Sequence, residues 1–203
     1  MRSRTIPLIV AVLAAGASLV ACSSSDGRSL PAPNPRNTTT SVSSPVVGQP
    51  SDGDTAAAGF ALTSTAFIDG AVIPARYTCA GESVSPPLSW TSAPPAAALA
   101  IVVRDRNAVG FVHWVVTGID PTVQGVGDGG IPEGAVEGAN SNGTIGWTPP
   151  CPPAGSGTHT YDVVLHALAQ PVTLDPGLAA GEAARRIEAA SSAQARLSGT
   201  ATG

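Results

Sequence analysis

The chain has no lysine: all ten basic residues among its 203 are arginine, and fourteen Asp and Glu outnumber them. An acidic chain without a basic stripe lacks the electrostatic footprint of a nucleic-acid binder, so that class is set aside. Cysteine is scarce, with three in the chain, and none are arranged as Cys-x-x-Cys, which removes the thioredoxin-type redox motif. No phosphate-cradling glycine loop of the Walker type is present, and no serine sits in a Gly-x-Ser-x-Gly turn. Long apolar runs are missing too. The longest uncharged stretch near the start, Ile6–Val20, is too short and too alanine-rich for a stable membrane-spanning helix.

That stretch has another reading. Arg2 and Arg4 precede it, and small residues lead into Cys22, after which the chain turns polar at once. A positive start, a short apolar core and a small-residue cleavage point describe an export signal over residues 1–21. Leu19-Val20-Ala21-Cys22 resembles a bacterial lipobox. The resemblance implies a diacylglyceryl thioether on Cys22 and anchoring to the extracytoplasmic face of the cell membrane without a spanning helix; an ordinary signal with a free thiol is the alternative. Residues 22–58 are rich in Ser, Thr, Pro, Asn and Gly, a composition that cannot offset its ordering entropy by burial. They read as a disordered tether, with O-glycosylation a compositional option. Residues 59–203 are left as one domain of ordinary size. Without Arg2 and Arg4, eight arginines stand against fourteen acids, a mature charge of about −6. The bias to Ala, Gly, Pro and Arg suits a GC-rich bacterial source.

Within the domain the chain is organised around Pro149–Tyr161. Four prolines flank Cys151, fix φ at four positions and remove four backbone donors, so neither a helix nor a central strand runs through. The stretch is a rigid wall. Gly155 and Gly157 release it, and His159 and Tyr161 follow, two apart, on one face of a coming strand. Cys79 and Cys151 form an even pair in an exported domain and read as a disulfide, worth about 3–4 kcal/mol on the chain-entropy model; two buried free thiols are the alternative.

Phe60–Phe67 suits a strand, and Ile68-Asp69-Gly70-Ala71 a turn. Leu99–Arg104, Phe111–Ile119 and Tyr161–Leu168 are the three convincing strands. On the second, alternation puts Phe111, His113, Val115 and Thr117 on one face and Val112, Trp114 and Val116 on the other. Pro121–Gly146 reads as a long surface excursion. Leu178–Leu197 alone has helical character. The sum is a mainly β, antiparallel domain with one late helix.

Asp105 ends one strand, His113 opens the next, and His159 with Tyr161 opens the third. One carboxylate and two imidazoles at sheet edges can hold an anion, orient an ammonium group, or bind a metal as two His and one carboxylate. His166 lies mid-strand, facing opposite to Tyr161, and reads as structural.

Four segments together resemble the phosphatidylethanolamine-binding protein family, in its bacterial Raf kinase inhibitor-like (YbhB/YbcL) branch: Ile73-Pro74-Ala75-Arg76-Tyr77-Thr78-Cys79, Ser85-Pro86-Pro87-Leu88-Ser89-Trp90, Val112-His113-Trp114-Val115-Val116, and Pro150–Gly155 with His159-Thr160-Tyr161. The resemblance implies a large antiparallel sheet packed on a smaller one with a C-terminal helix. It implies a small cavity for phosphate, acetate or a phosphoryl headgroup, lined by Asp105, His113, His159 and Tyr161 with Pro149 and Pro150 as wall. It implies no cofactor and no catalysis, but a binding or regulatory role, with inhibition of a cell-surface protease or kinase as one alternative; the residues by themselves leave a metal-dependent hydrolase using Asp105, His113 and His159 as another. Where the family has Asp-Pro-Asp-Ala-Pro, this chain has Asp105-Arg106-Asn107-Ala108-Val109. The loss of both prolines implies a more flexible rim, and Arg106 is placed either to grip phosphate or to pair with Asp105 and close the site.

Overall fold

A computed structural model describes residues 59–203. The export signal, Cys22 and the tether lie outside the described residues. Two antiparallel sheets make up the domain. The smaller runs in the order β1 (Leu62–Thr63), β2 (Leu88–Trp90), β5 (Gly125–Val126). The larger has β6 (Val136–Glu137), β4 (Val112–Ile119), β3 (Ala98–Asp105), β7 (Thr158–Leu168) and β8 (Ser191–Thr202), in that order. One helix, α1 (Ala180–Ala190), precedes β8.

Strands β3 and β4 of the large sheet are buried on both faces, which is why they read as near-continuous apolar runs. Leu99, Ile101 and Val103 of β3 face the small sheet, packing with Trp114 and Val116 of β4, Val163 and Leu165 of β7, and Leu62, Leu88 and Trp90. Ala98, Ala100 and Val102 face the other way, onto α1. The small side chains on β3 leave room for Ala180, Ala183, Ala184 and Ile187, which are spaced to form one stripe of the helix. Ile187 is fully buried there, worth about 2 kcal/mol of transfer free energy. Arg104, on this same face, reaches Glu188 of α1 at 2.8 Å.

Three readings of the sequence are corrected. Helical character was expected through Leu197, yet the chain leaves the helix at Ala190 and runs straight into a twelve-residue strand. Its buried residues, Ala193, Ala195, Leu197 and Ala201, sit at even spacings, the strand period, and the alanines had masked it. Phe60–Phe67 contributes a two-residue strand rather than a full one, although Phe60, Leu62 and Phe67 all enter the core. Pro121–Gly146 is not mere excursion: β5 completes the small sheet and β6 edges the large one. Gly199, on β8, marks a close approach, since a Cβ there would lie 2.5 Å from Ile73 Cγ1 and 2.8 Å from Phe67 Cε2.

Candidate functional site

Asp105 closes β3 directly opposite Tyr161 of β7, and His159 stands two residues before Tyr161 on the same face. The Asp105 carboxylate divides its oxygens. Oδ1 accepts the backbone N–H of Asn107 at 2.7 Å and of Ala108 at 3.2 Å, which folds the chain back toward β4. Oδ2 lies 2.7 Å from His159 Nδ1. Both residues are buried.

His113 arrives by a different device. In the β3–β4 ladder Val103 faces Trp114, but Arg104 faces Val112, so His113 is an extra residue in a bulge. A bulge re-aims the side chains around it. Val112 therefore packs with Val115 beneath the helix, not with Trp114 and Val116 as plain alternation predicts. The His113 ring is turned to the Tyr161 side, edge-on to the phenol at 5.2 Å between centroids. Two bonds tie it to the strap before the prolines: Thr148 N–H donates to the His113 carbonyl at 2.9 Å, and His113 Nδ1 donates to the Thr148 carbonyl at 2.8 Å.

These groups open on a cavity of about 570 Å³. Asp105, His113, His159 and Tyr161 line it, and Pro149 forms part of its wall. Pro150 does not: it is buried behind the wall, where its carbonyl accepts the Cys79 N–H at 3.0 Å. Its place is taken by Pro152 and Pro153, together with the disulfide that joins Cys79 and Cys151 across 72 residues of chain. Both cysteines are exposed rather than buried. Ala108 of the rim motif also lines the cavity, and Phe111, Asn142 and Thr148 complete it without having been singled out as site residues in the sequence. Phe111 lies tilted against His113 with ring centroids 4.7 Å apart, a neighbour that the Phe-Val-His spacing does suggest. Asn142 and Thr148 come from loops, bonded to each other at 2.9 Å, and carry no sequence signal.

Arg106 takes neither place expected of it. Its guanidinium pairs with Asp162, whose other oxygen accepts the Ser198 hydroxyl at 2.7 Å. His166 is absent from the cavity and bonds Ser191 Oγ at 3.1 Å.

Burial lowers the pKa of the His113 imidazole, outweighing the opposing pull of the Thr148 carbonyl and the Asp105 charge. Burial, reinforced by Asp105, raises that of the Tyr161 phenol, which keeps its proton at all ordinary pH and stays a donor. Among the described residues no three His, Cys, Asp or Glu side chains are grouped to hold a metal ion. The metal-ligand reading of Asp105, His113 and His159 finds no such grouping of the three side chains.

A family model for phosphatidylethanolamine-binding protein matches residues 63–202. A Mycobacterium tuberculosis protein named as a lipoprotein, LppC, is 42% identical over 201 residues, spanning 97% of this chain and 96% of that one. Among solved structures, CT736 from Chlamydia trachomatis, described as a homolog of the same family, has 32% identity and a TM-score of 0.63, covering 73% of this chain and 98% of its own. Escherichia coli YbcL, described as a member of the mammalian family, has 26% identity and a TM-score of 0.65, covering 70% of this chain and 97% of its own. Among the described residues no helix is long and apolar enough to cross a membrane.

Proposed function

Because the chain belongs to the phosphatidylethanolamine-binding protein family, we propose that it is a non-enzymatic binding protein whose cavity takes a phosphate-type anion or the phosphoryl part of a lipid headgroup. The observation that carries this reading is the convergence of two imidazoles and one phenol on a cavity of about 570 Å³ walled by prolines and a disulfide. Sites of this kind are concave, largely apolar, and carry a few convergent polar groups. Each ring is fixed through Nδ1, which leaves Nε2 for a ligand, and Tyr161 adds a hydroxyl donor. Asp105 orients His159 and is placed to receive an ammonium group.

The proposed setting is the extracytoplasmic face of the cell membrane. Residues 1–21 would be removed on export, Cys22 would carry lipid, and residues 22–58 would tether the domain of residues 59–203. Similarity to a protein named as a lipoprotein supports this. A regulatory role through a protein partner would use the same exposed rim.

Two measurements test the proposal. Titrating phosphorylethanolamine into the protein should shift the ring resonances of His113 and His159 and give a saturable heat, and His159→Ala should abolish both. Unmoved rings and no heat would refute the binding role. For the anchor, mass spectrometry of detergent-extracted protein should find a diacylglyceryl group on Cys22, and Cys22→Ser should release the protein from the membrane fraction.

A further inference from the structure

The cavity has an unusual charge balance for an anion site. Thirteen residues line it, and their one formal charge is the Asp105 carboxylate; no arginine is among them. Arg106, the nearest in sequence, bonds Asp162 instead. The His113 imidazole does not make up the deficit, because its burial works against a charged ring. Neither the Thr148 carbonyl nor the Asp105 carboxylate has a proton to give, so each Nδ1 is the N–H of its ring. A neutral ring with its proton on Nδ1 presents a lone pair at Nε2. The His113 Nε2 acceptor and a carboxylate thus meet whatever enters, against neutral donors from Tyr161, Thr148 and Asn142.

Resting on the reading above, we infer that the cavity takes a terminal phosphate, as inorganic phosphate or a phosphomonoester, together with one proton, and discriminates against phosphodiesters. A phosphomonoester has a second pKa of about 6, so its monoanion carries a P–O–H that can donate to a waiting Nε2 while its ionised oxygens accept from the neutral donors. A phosphodiester has no such proton. It must leave an imidazole lone pair facing an ionised oxygen, or charge a ring. The second route is disfavoured at His113, whose burial already works against its protonated form. The groups facing His113 are Asp105 of β3 and Tyr161 of β7, with His159 beyond the phenol ring, so the balance includes every titratable side chain around the cavity.

The experiment is calorimetry on the full chain carrying Cys22→Ser, at pH 7 and pH 8, in two buffers of different ionisation enthalpy. The probes are inorganic phosphate, phosphorylethanolamine and the diester glycerophosphorylethanolamine. Phosphorylethanolamine should take up close to one proton on binding and weaken about tenfold between pH 7 and pH 8; inorganic phosphate, with its higher second pKa of about 7, should take up about half a proton and weaken about fivefold. The diester should bind about tenfold or more weakly at pH 7, the worth of one unmade hydrogen bond. In His113→Gln, whose side-chain amide can turn an N–H toward the ligand, phosphate should still bind while the diester penalty shrinks. Vesicles carrying phosphatidic acid should be captured in preference to vesicles carrying phosphatidylethanolamine if the source is a lipid; competition by free phosphate without vesicle capture assigns a soluble source. Equal affinity for monoester and diester, or heats independent of buffer, would overturn this inference and leave the binding role standing. Failure of every phosphoryl probe to bind would overturn both.

Discussion

The disulfide between Cys79 and Cys151 joins residues 72 apart and forms part of the cavity wall, so breaking it should be felt in stability and in the site together. Closing a loop of that length restricts the unfolded chain by about 4 kcal/mol on the chain-entropy model. For a domain of about 150 residues, at roughly 3 °C per kcal/mol, the unfolding midpoint should fall by about 12 °C. The assay is thermal unfolding of wild type with and without a phosphine reductant, beside the Cys79→Ser, Cys151→Ser double variant. Reduced wild type and the double variant should coincide, and the reductant should leave the double variant unmoved. The wall gives a second reading. Without the covalent tie, the proline strap keeps the Cys79 N–H bond to the Pro150 carbonyl at this point, worth about 1 kcal/mol. Phosphorylethanolamine affinity should therefore drop while the β-sheet circular dichroism is retained. A midpoint change below about 4 °C in both arms would refute the argument, because the proline segment would then be held by its own stiffness.

Gly199→Ala places a methyl against Ile73 and Phe67 and should lower stability by about 1–3 kcal/mol in urea unfolding, whereas Gly127→Ala, at an exposed position with open space and no left-handed φ, should leave it nearly unchanged. Ile187→Ala empties the helix–sheet contact and should cost about 3 kcal/mol by the same measurement. His166 is held neutral, its pKa pushed down to about 4 by burial and then by Arg104. The unfolded chain, with an ordinary value near 6.5, takes up the proton first as pH falls, so this contribution is complete above about pH 6.5 and is lost between there and pH 4. It is worth about 3 kcal/mol. Urea midpoints across that range should fall less steeply in His166→Gln than in wild type, and parallel curves would exclude the assignment.

The parts of the fold legible in the sequence are those in which one physical signal dominates. Leu99–Arg104 and Phe111–Ile119 are long, mostly apolar runs because β3 and β4 are buried on both faces, and little besides a strand reads that way. β8 was hidden because Ala193 and Ala195 carry a strand's alternation in a helix former's side chain. β5 and β6 were hidden because two residues each are too few to show any period. At the site, the prolines announced a stiff wall, but fixed φ values do not say which ring faces inward; hence Pro152 and Pro153 line the cavity where Pro150 was expected. Strand ends brought Asp105, His113, His159 and Tyr161 forward as candidates, and the family resemblance implied that they line one cavity. Spacing alone left metal binding and anion binding open.

The rim shows how one motif can be rebuilt without its prolines. Asp105 and Ala108 remain from the family's Asp-Pro-Asp-Ala-Pro pattern, and a looser turn was the natural expectation. The chain replaces ring constraint with hydrogen bonds instead. Asp105 Oδ1 caps two amides of the turn, and Gly110, at φ 78°, lets the Phe111 N–H return to the Ala108 carbonyl at 2.9 Å. Arg106 and Asn107 then clamp the turn to β7 through both backbone groups of Thr160, at 2.8 and 2.9 Å. The same carboxylate holds His159 through its second oxygen. Turn geometry and ring orientation are thus coupled through Asp105. The bulge that delivers His113 sits at the other end of this turn, so a short insertion between Asp105 and His113 would disturb both imidazoles while leaving the strands beyond Val103 and Trp114 in register.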